Sequence, residues 1–462
     1  MTGAFLLAGC ASFSPDGGMA PVATFADITL GKDVAVLRTE TDTQAARGEV
    51  ERLLKRPLTA DAAVQIALLN NRGLQAAYNE LGLAEAGMVG ASLPPNPAIS
   101  LSRMAGSGEV EIERKIVANI LSLATLPARA EIASQRFRQA QLMAIAETMR
   151  IAAEARSAYV RAAGARAKAA VLEQAQTASG TAVQLAKRMG ESGAMNKLDQ
   201  AREQVFHADI AAQLASARRG VDTDRERLVR ALGLWGGDLN FRLAALPPLP
   251  ARARAQPAVE VDAIRRRIDL QIARIEVDTL AKSYGLTQAT RFVNLLEVAG
   301  ISKTTRGDGD SVTERGVEVE FQIPLFDFGE VRAREAEQRY QMAVNRLVEK
   351  AVNVRSEARN AYRSYRAAYD IAAHYQREVL PLRKIISDEM LLRYNAMQID
   401  VFALLTESRQ RLAANAAAID ARRDFWLADA DLLMTVNGGA PGAAGSQSSS
   451  STIAAAGEAA GH

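Results

Sequence analysis

Val317-Glu318-Val319-Glu320-Phe321-Gln322-Ile323 alternates apolar and polar side chains at every step, the period of a strand with one dry face and one wet face. Earlier in the chain, Val110-Glu111-Ile112-Glu113-Arg114-Lys115-Ile116 repeats the pattern, with Arg114 interrupting the apolar side. Ile99-Ser100-Leu101-Ser102 alternates in the same way. The segment around Phe292 to Ser302 supplies a fourth strand whose register the sequence leaves open. Two hairpins follow, at about 97–121 and about 292–325. Such alternation fits a half-exposed soluble hairpin, or a barrel with lipid outside and water inside.

Around the hairpins the chain repeats itself. Glu154-Ala155-Arg156-Ser157-Ala158-Tyr159 recurs as Glu357-Ala358-Arg359-Asn360-Ala361-Tyr362, and Leu74-Gln75 recurs as Leu270-Gln271. Gly193-Ala194-Met195 is matched by Asn395-Ala396-Met397. The offsets lie between 196 and 207 residues and keep their order, a spacing far too long for a solenoid. One structural unit is therefore duplicated, over 58–235 and 258–437. A Pro-rich linker at 236–257 joins the two, an extended arm at 1–57 precedes them, and a disordered Gly/Ala/Ser tail at 438–462 follows.

Each unit is predicted to hold a leading helix (about 60–91 and 258–287), a hairpin, a very long helix (about 128–190 and 330–394) and a returning helix (about 195–232 and 397–435). Tyr340, Ala343, Leu347, Ala351, Val354, Ala358 and Ala361 recur at spacings of three and four, a coiled-coil-like seam. At ~1.5 Å per residue the long helices span about 95–98 Å, and a leading plus a returning helix span ~104 Å. Each long helix can therefore be flanked by a stacked pair of shorter ones. Strands of about ten residues can cross a membrane when tilted. One chain supplies only four, and a membrane barrel closes with at least ~8. Three copies supply twelve. The fold class expected is mainly α with a small β part, closing as a trimeric 12-stranded β-barrel if the strands cross a membrane.

Composition removes other classes. Lys plus Arg number 56 against 53 Asp plus Glu, a net charge of only +3, without the basic excess of a nucleic-acid binder. With 48% hydrophobic residues the chain has ample material for a core. Its single cysteine excludes an internal disulfide framework. That residue, Cys10, follows Leu7-Ala8-Gly9, the pattern of a bacterial lipobox, and marks a lipid-attachment site. Only nine residues precede it, none of them basic, so a later-than-true start codon is expected. Ala11 after the cysteine points to the outer membrane. No Walker A, G-x-S-x-G or H-E-x-x-H motif occurs, and no enzyme activity, cofactor or metal site is expected. His207 and His374 stand apart from any second ligand and are assigned to ordinary helix positions. Gly307-Asp308-Gly309-Asp310 lacks the later ligands of a calcium loop and is assigned to the turn between strands three and four.

Over roughly 55–437 the chain resembles the TolC-type outer-membrane efflux proteins. The likeness rests on the duplicated Glu-Ala-Arg-x-Ala-Tyr motifs and on Ile323-Pro324-Leu325-Phe326-Asp327-Phe328-Gly329 at a strand-to-helix junction. It also rests on Val379-Leu380-Pro381-Leu382, and on Arg393-Tyr394-Asn395-Ala396-Met397 followed by Asp400 and Leu404-Leu405. The resemblance implies a homotrimer in outer-membrane lipid, its 12-stranded membrane β-barrel continued into a periplasmic α-helical barrel whose tip docks an adaptor protein coupled to an inner-membrane pump. The lipobox resembles the lipoprotein branch of that family, found with drug- and metal-exporting pumps. Where the family usually has Gly at the second tip this chain has Asn395, which tolerates the left-handed conformation. Pro381 is expected to kink the long helix about four turns before the tip.

Two groups carry the functional expectations. Glu111, Glu113, Glu318 and Glu320 would ring the lumen of a trimer and bias it toward cations, or simply solvate a wet face. At the tips, Arg188, Gly190, Gly193 and Asp199 of the first unit stand with Arg393, Tyr394, Asn395 and Asp400 of the second. They serve either as a gate and adaptor contact or as helix caps favoured by the dipole. Arg393 and Tyr394 are long enough to reach Glu191 or Asp199 as a latch. The function expected is the exit duct of a tripartite efflux system, passing drugs or metal ions. A type I protein secretion duct and a coiled-coil scaffold lipoprotein are the alternatives.

Overall fold

The computed structural model describes residues 12–106, 109–307 and 310–439; Cys10 and all but the first two residues of the tail lie outside them. The chain forms two compact units. The first comprises Met1–Pro21, Ala77–Ala144 and Asp269–Val352, the second Val22–Ala76, Ile145–Ile268 and Asn353–His462.

In chain order the helices before the first hairpin are α1 (Ala20–Phe25), α2 (Glu40–Leu54), α3 (Ala60–Asn70) and α4 (Arg72–Ser92). Strands β1 (Ala98–Gly106) and β2 (Glu109–Asn119) follow, then α5 (Ile120–Ala124), α6 (Leu126–Glu191) and α7 (Lys197–Leu232). After the linker the order recurs as α8 (Val259–Arg266), α9 (Ile268–Ala289), β3 (Leu295–Gly307) and β4 (Asp310–Gln322). It ends with α10 (Glu330–His374), α11 (Leu380–Asn395) and α12 (Val401–Asn437). The long helix of the first unit is unbroken over 66 residues.

Three features depart from expectation. The arm is not extended throughout: α1 passes into a π-helical turn (Ala26–Leu30), and α2 starts at a capping box in which Thr39 and Asp42 exchange bonds. Each leading helix is broken in two, at Asn71 and at Arg267, which take ψ values of 115° and 122°. Asn71 Oδ1 accepts the N–H groups of Gly73 and Leu74, while its Nδ2 donates to Ala231 O. A side chain that caps the next helix thus competes with the ladder of the previous one. The second long helix is not regular α-helix up to Pro381. A π-helical turn (Tyr375–Val379) lies just before it, with Leu380 N bonded to Tyr375 O. The widened turn absorbs the hydrogen bond that proline removes.

In the second unit the packing centres on aromatic residues. Phe425 lies 5.4 Å from Tyr365 and 5.7 Å from Tyr369, and Trp426 stands edge-on to it at 5.0 Å. The polar ends of these rings hold the linker: Tyr369 Oη donates to Ala251 O at 2.9 Å, Trp426 Nε1 donates to Pro247 O, and Arg254 N donates to Tyr365 Oη. Buried Ala358, Ala372 and Ala421 let helices approach closely around this cluster.

Candidate functional site

The first unit carries one four-stranded antiparallel sheet in the order β1-β2-β3-β4, with both hairpin turns at the same end. The register left open in the third strand is now fixed: Lys303 stands opposite Glu113 on one side and Glu314 on the other. Pairing runs without a bulge, so each face is one continuous set of alternate residues. One face carries Ile99, Leu101, Ile116, Val317, Val319 and Phe321, all exposed. The other carries Glu111, Glu113, Glu318 and Glu320 together with Glu297 and Glu314. Two of these acids are compensated. Lys115 Nζ donates to Glu318 at 2.9 and 3.0 Å, reaching across β3, and Lys303 Nζ lies 2.9 Å from Glu111 Oε1. Both outer strands, β1 and β4, are edges without a partner among the described residues.

At the end of the sheet, Phe328 and Gly329 take φ values of 48° and 72°. A Cβ on Gly329 would meet Arg291 O at 2.2 Å, so this turn admits only glycine. The arm packs in the same unit. Ser14 N donates to Glu85 Oε1 at 2.7 Å, Ser14 Oγ bonds the same oxygen, and Gly18 closes on the ring of Phe137. Burial raises the Asp16 carboxyl, but the N–H groups of Ala20 and Gly18 and the Ser14 hydroxyl outweigh it and hold the pKa below the ordinary aspartate value.

In the second unit the two turns between long and returning helices superpose by sequence offset. Gly193 is left-handed (φ 76°) three residues before the cap Asn196; Met397 is left-handed (φ 57°) three residues before the cap Asp400. The left-handed residue of the second tip is therefore Met397 and not Asn395, which ends α11. Asp400 is itself the cap, its Oδ1 accepting Ala403 N at 2.8 Å. Asp199, in the first turn of α7, accepts Asn196 Nδ2 at 2.6 Å and Arg202 Nη1 at 2.9 Å. Gly190 lies against Gln200, whose amide occupies the place of a Cβ. Arg188 is exposed. Arg393 is paired along its own helix, Nε to Glu389 Oε1 at 2.9 Å, and Tyr394 is exposed.

Behind the turns lie residues that the sequence reading passed over. Ala186, Met195 and Val401 form a small plug with Met189 and Leu405. Next to it two buried glutamates each hold an arginine. Glu203 Oε1 accepts Arg409 Nη2 at 2.6 Å, with the guanidinium 4.2 Å over Phe206, and Glu407 Oε2 accepts Arg383 Nη1 at 3.0 Å. Glu203 and Glu407 are separated by the same interval as Gly193 and Met397, and that coincidence was the available signal. The duplicated motif also gains a role. Arg156 pairs with Asp61 and Arg359 with Glu260, while Tyr159 Oη donates to Ala245 O and Tyr362 Oη accepts Gln256 N. Each copy ties its long helix to its leading helix and to the linker. His207 Nδ1 lies 2.8 Å from Ser179 Oγ, and His374 Nδ1 lies 3.1 Å from Glu378.

Comparison with known proteins agrees with this architecture. Residues 260–387 match the family model of the outer membrane efflux protein. The cobalt-zinc-cadmium resistance protein CzcC of Cupriavidus metallidurans is 26% identical over 293 residues, 59% of this chain and 64% of that protein. The match therefore spans less than two thirds of that relative. Among solved structures, CusC aligns with a TM-score of 0.68 at 16% identity, covering 82% of this chain and 92% of its own. The outer membrane protein VceC of Vibrio cholerae aligns at 0.67 and 15%, covering 82% and 96%. At such identities these structures speak for the fold. With the family's sequence signature matched across part of the second repeat and the fold of these solved channels shared by both repeats, the chain is similar to the TolC-type outer-membrane efflux proteins.

Proposed function

We propose that this chain is the outer-membrane exit duct of a tripartite efflux system. In that role three copies close a twelve-stranded barrel, and their helices form a periplasmic tunnel that receives substrate from an adaptor and an inner-membrane pump. The observation that carries this reading is the open sheet: one exposed apolar face, one acidic face, and two long unpartnered edges. Unpaired edges cannot persist in lipid, so the sheet must meet its own copies. The acidic face would then line a lumen that favours cations. The duct itself is passive and performs no chemistry. The name of CzcC supports metal ions, as against drugs, as the exported class.

A lipid on Cys10 would be the second attachment to the membrane. Ser14, four residues on, is fastened to Glu85 in the unit that holds the sheet, which suits an anchor near the barrel. Native mass measurement of the detergent-purified protein should give a trimer, and that trimer should conduct in planar bilayers; a stable, non-conducting monomer would overturn the duct. Cys10→Ser should remove fatty-acid labelling and leave the trimer intact. A strain lacking the protein should become sensitive to cobalt, zinc or cadmium if metal ions are the cargo.

A further inference from the structure

The apolar face of the sheet changes character toward its hairpin turns. Counting from Phe321, the first three cross-strand rows of that face contain only apolar residues and Gly300. The next rows place Arg114 and Arg315 on either side of Ser302, then Arg103 beside Ile112, then Arg306 beside Ser311. All four arginines are exposed, no acid shares this face within the strands, and none of the four makes an ion pair among the described residues. The charges are segregated: the opposite face holds the acids and the two lysines.

Position along the strand identifies the environment. At ~3.4 Å per residue and a tilt near 40°, Arg315 stands about 15 Å above Phe321 and Ser311, level with Arg306, about 26 Å above it. A barrel's apolar band is about 25 Å tall and is normally bounded by aromatic residues at both edges. The lower edge has them, in the exposed Phe292, Phe321, Phe326 and Phe328. The upper edge has no aromatic residue in any described strand position; Arg103 and Arg306 stand there instead, with Arg114 and Arg315 up to about 10 Å below them. A guanidinium offers several donors in a planar fork suited to phosphate, and its stem lets it rise to the headgroup level. Four unpaired cations on one surface also repel one another unless an anion joins them.

We infer that the arginines Arg103, Arg114, Arg306 and Arg315 form a binding band for phosphate-bearing anionic lipid headgroups of the leaflet at the hairpin-turn end. Arg103 and Arg306, nearest the upper edge, are its centre, and Arg114 and Arg315 reach it from below through their long stems. The inference rests on the barrel reading of the sheet.

The test uses the full-length trimer in detergent micelles doped with phosphatidic acid or with phosphatidylcholine, read by native mass spectrometry. Phosphatidic acid should be retained as adducts, and phosphatidylcholine should not. Replacing all four arginines by glutamine should reduce retention at least tenfold, and the Arg103→Gln/Arg306→Gln pair should suffice if the fourfold variant does not assemble. Lys115→Gln/Lys303→Gln, on the opposite face, should leave retention unchanged. Equal retention of both lipids, equal loss in the lysine variant, or inorganic phosphate displacing the lipid at equal concentration would each overturn the lipid band. Insertion of the wild-type trimer into pure phosphatidylcholine bilayers is measured alongside. Failure there counts against the barrel, whereas insertion without lipid discrimination counts only against the band.

Discussion

Met397 occupies a backbone position that Gly193 occupies in the first repeat. Its φ of 57° places a long side chain in the left-handed region, which costs a residue with a Cβ about 1–2 kcal/mol. It is almost fully exposed, so no packing offsets that cost. Met397→Gly should therefore stabilise the second tip by about 0.5–1 kcal/mol, after allowing for the greater freedom of glycine in the unfolded chain. Gly193, with nothing within 4 Å of its missing Cβ, is the reciprocal case, and Gly193→Met should lose about 1 kcal/mol for conformational reasons alone. Amide hydrogen exchange across 186–200 and 389–404 measures both. Equal exchange rates in all variants would mean that the tips are held by packing and not by their turns. The latch that Arg393 could have offered to Glu191 or Asp199 is, in this structure, spent on Glu389 within one helix.

Between elements, the buried acids give the tip its fixed geometry. Glu203 is almost wholly enclosed and its charge is met from α12 by Arg409, which is about one third exposed. Removing the arginine leaves a carboxylate in an apolar setting. Breaking such a pair costs about 3–5 kcal/mol when both partners are buried, so about 2–3 kcal/mol is expected for Arg409→Ala here. Glu203→Gln in the Arg409→Ala background should recover most of that loss, because the stranded charge is gone. A double-mutant cycle by chemical denaturation of the purified protein reads this coupling. Additive effects would show that the pair contributes nothing beyond solvated charge. The more exposed ties of the duplicated motif, Arg156 to Asp61 and Arg359 to Glu260, belong to the range of about 0–1 kcal/mol. They set register more than stability.

For the molecule as a whole, the two faces of the sheet should respond oppositely to one kind of substitution. Val319 and Glu320 are neighbours in β4 and point to different faces. A lysine on a lipid-facing surface costs about 2–4 kcal/mol at mid-depth and less toward either edge, whereas the same residue in a wet lumen costs little. Val319→Lys should therefore impair insertion into vesicles, and Glu320→Lys should insert normally while lowering the preference for cations in bilayer recordings. If Val319→Lys inserts as well as the wild type, the apolar face is not in lipid. In the proposed trimer the sheet edges would be paired, which would let strands as long as 13 residues go without edge protection.

Much of this was legible before any coordinates. Period-two alternation in 110–116 and 317–323 fixed which residues share a face, because side-chain direction in a strand depends only on parity. The duplicated motifs and the spacing of apolar residues located every long helix to within a few residues, since helical periodicity is local. The absence of catalytic motifs and the near-neutral charge narrowed the class of function. Other features depended on contacts between residues far apart in the chain, which leave little trace in local pattern. The third strand's register was set by Lys303 standing between Glu113 and Glu314. The breaks at Asn71 and Arg267 were set by partners at 231 and 357, the first a carbonyl that Asn71 caps and the second the buried ion pair with Glu357. The left-handed residue moved from Asn395 to Met397 because the cap Asp400 fixes where the turn closes. The arginine row arose only when strands from two distant hairpins were laid side by side. Sequence alone determined the periodic elements and their duplication; tertiary structure decided register, breaks and charge rows, because each of these is an interaction across the fold and not along the chain.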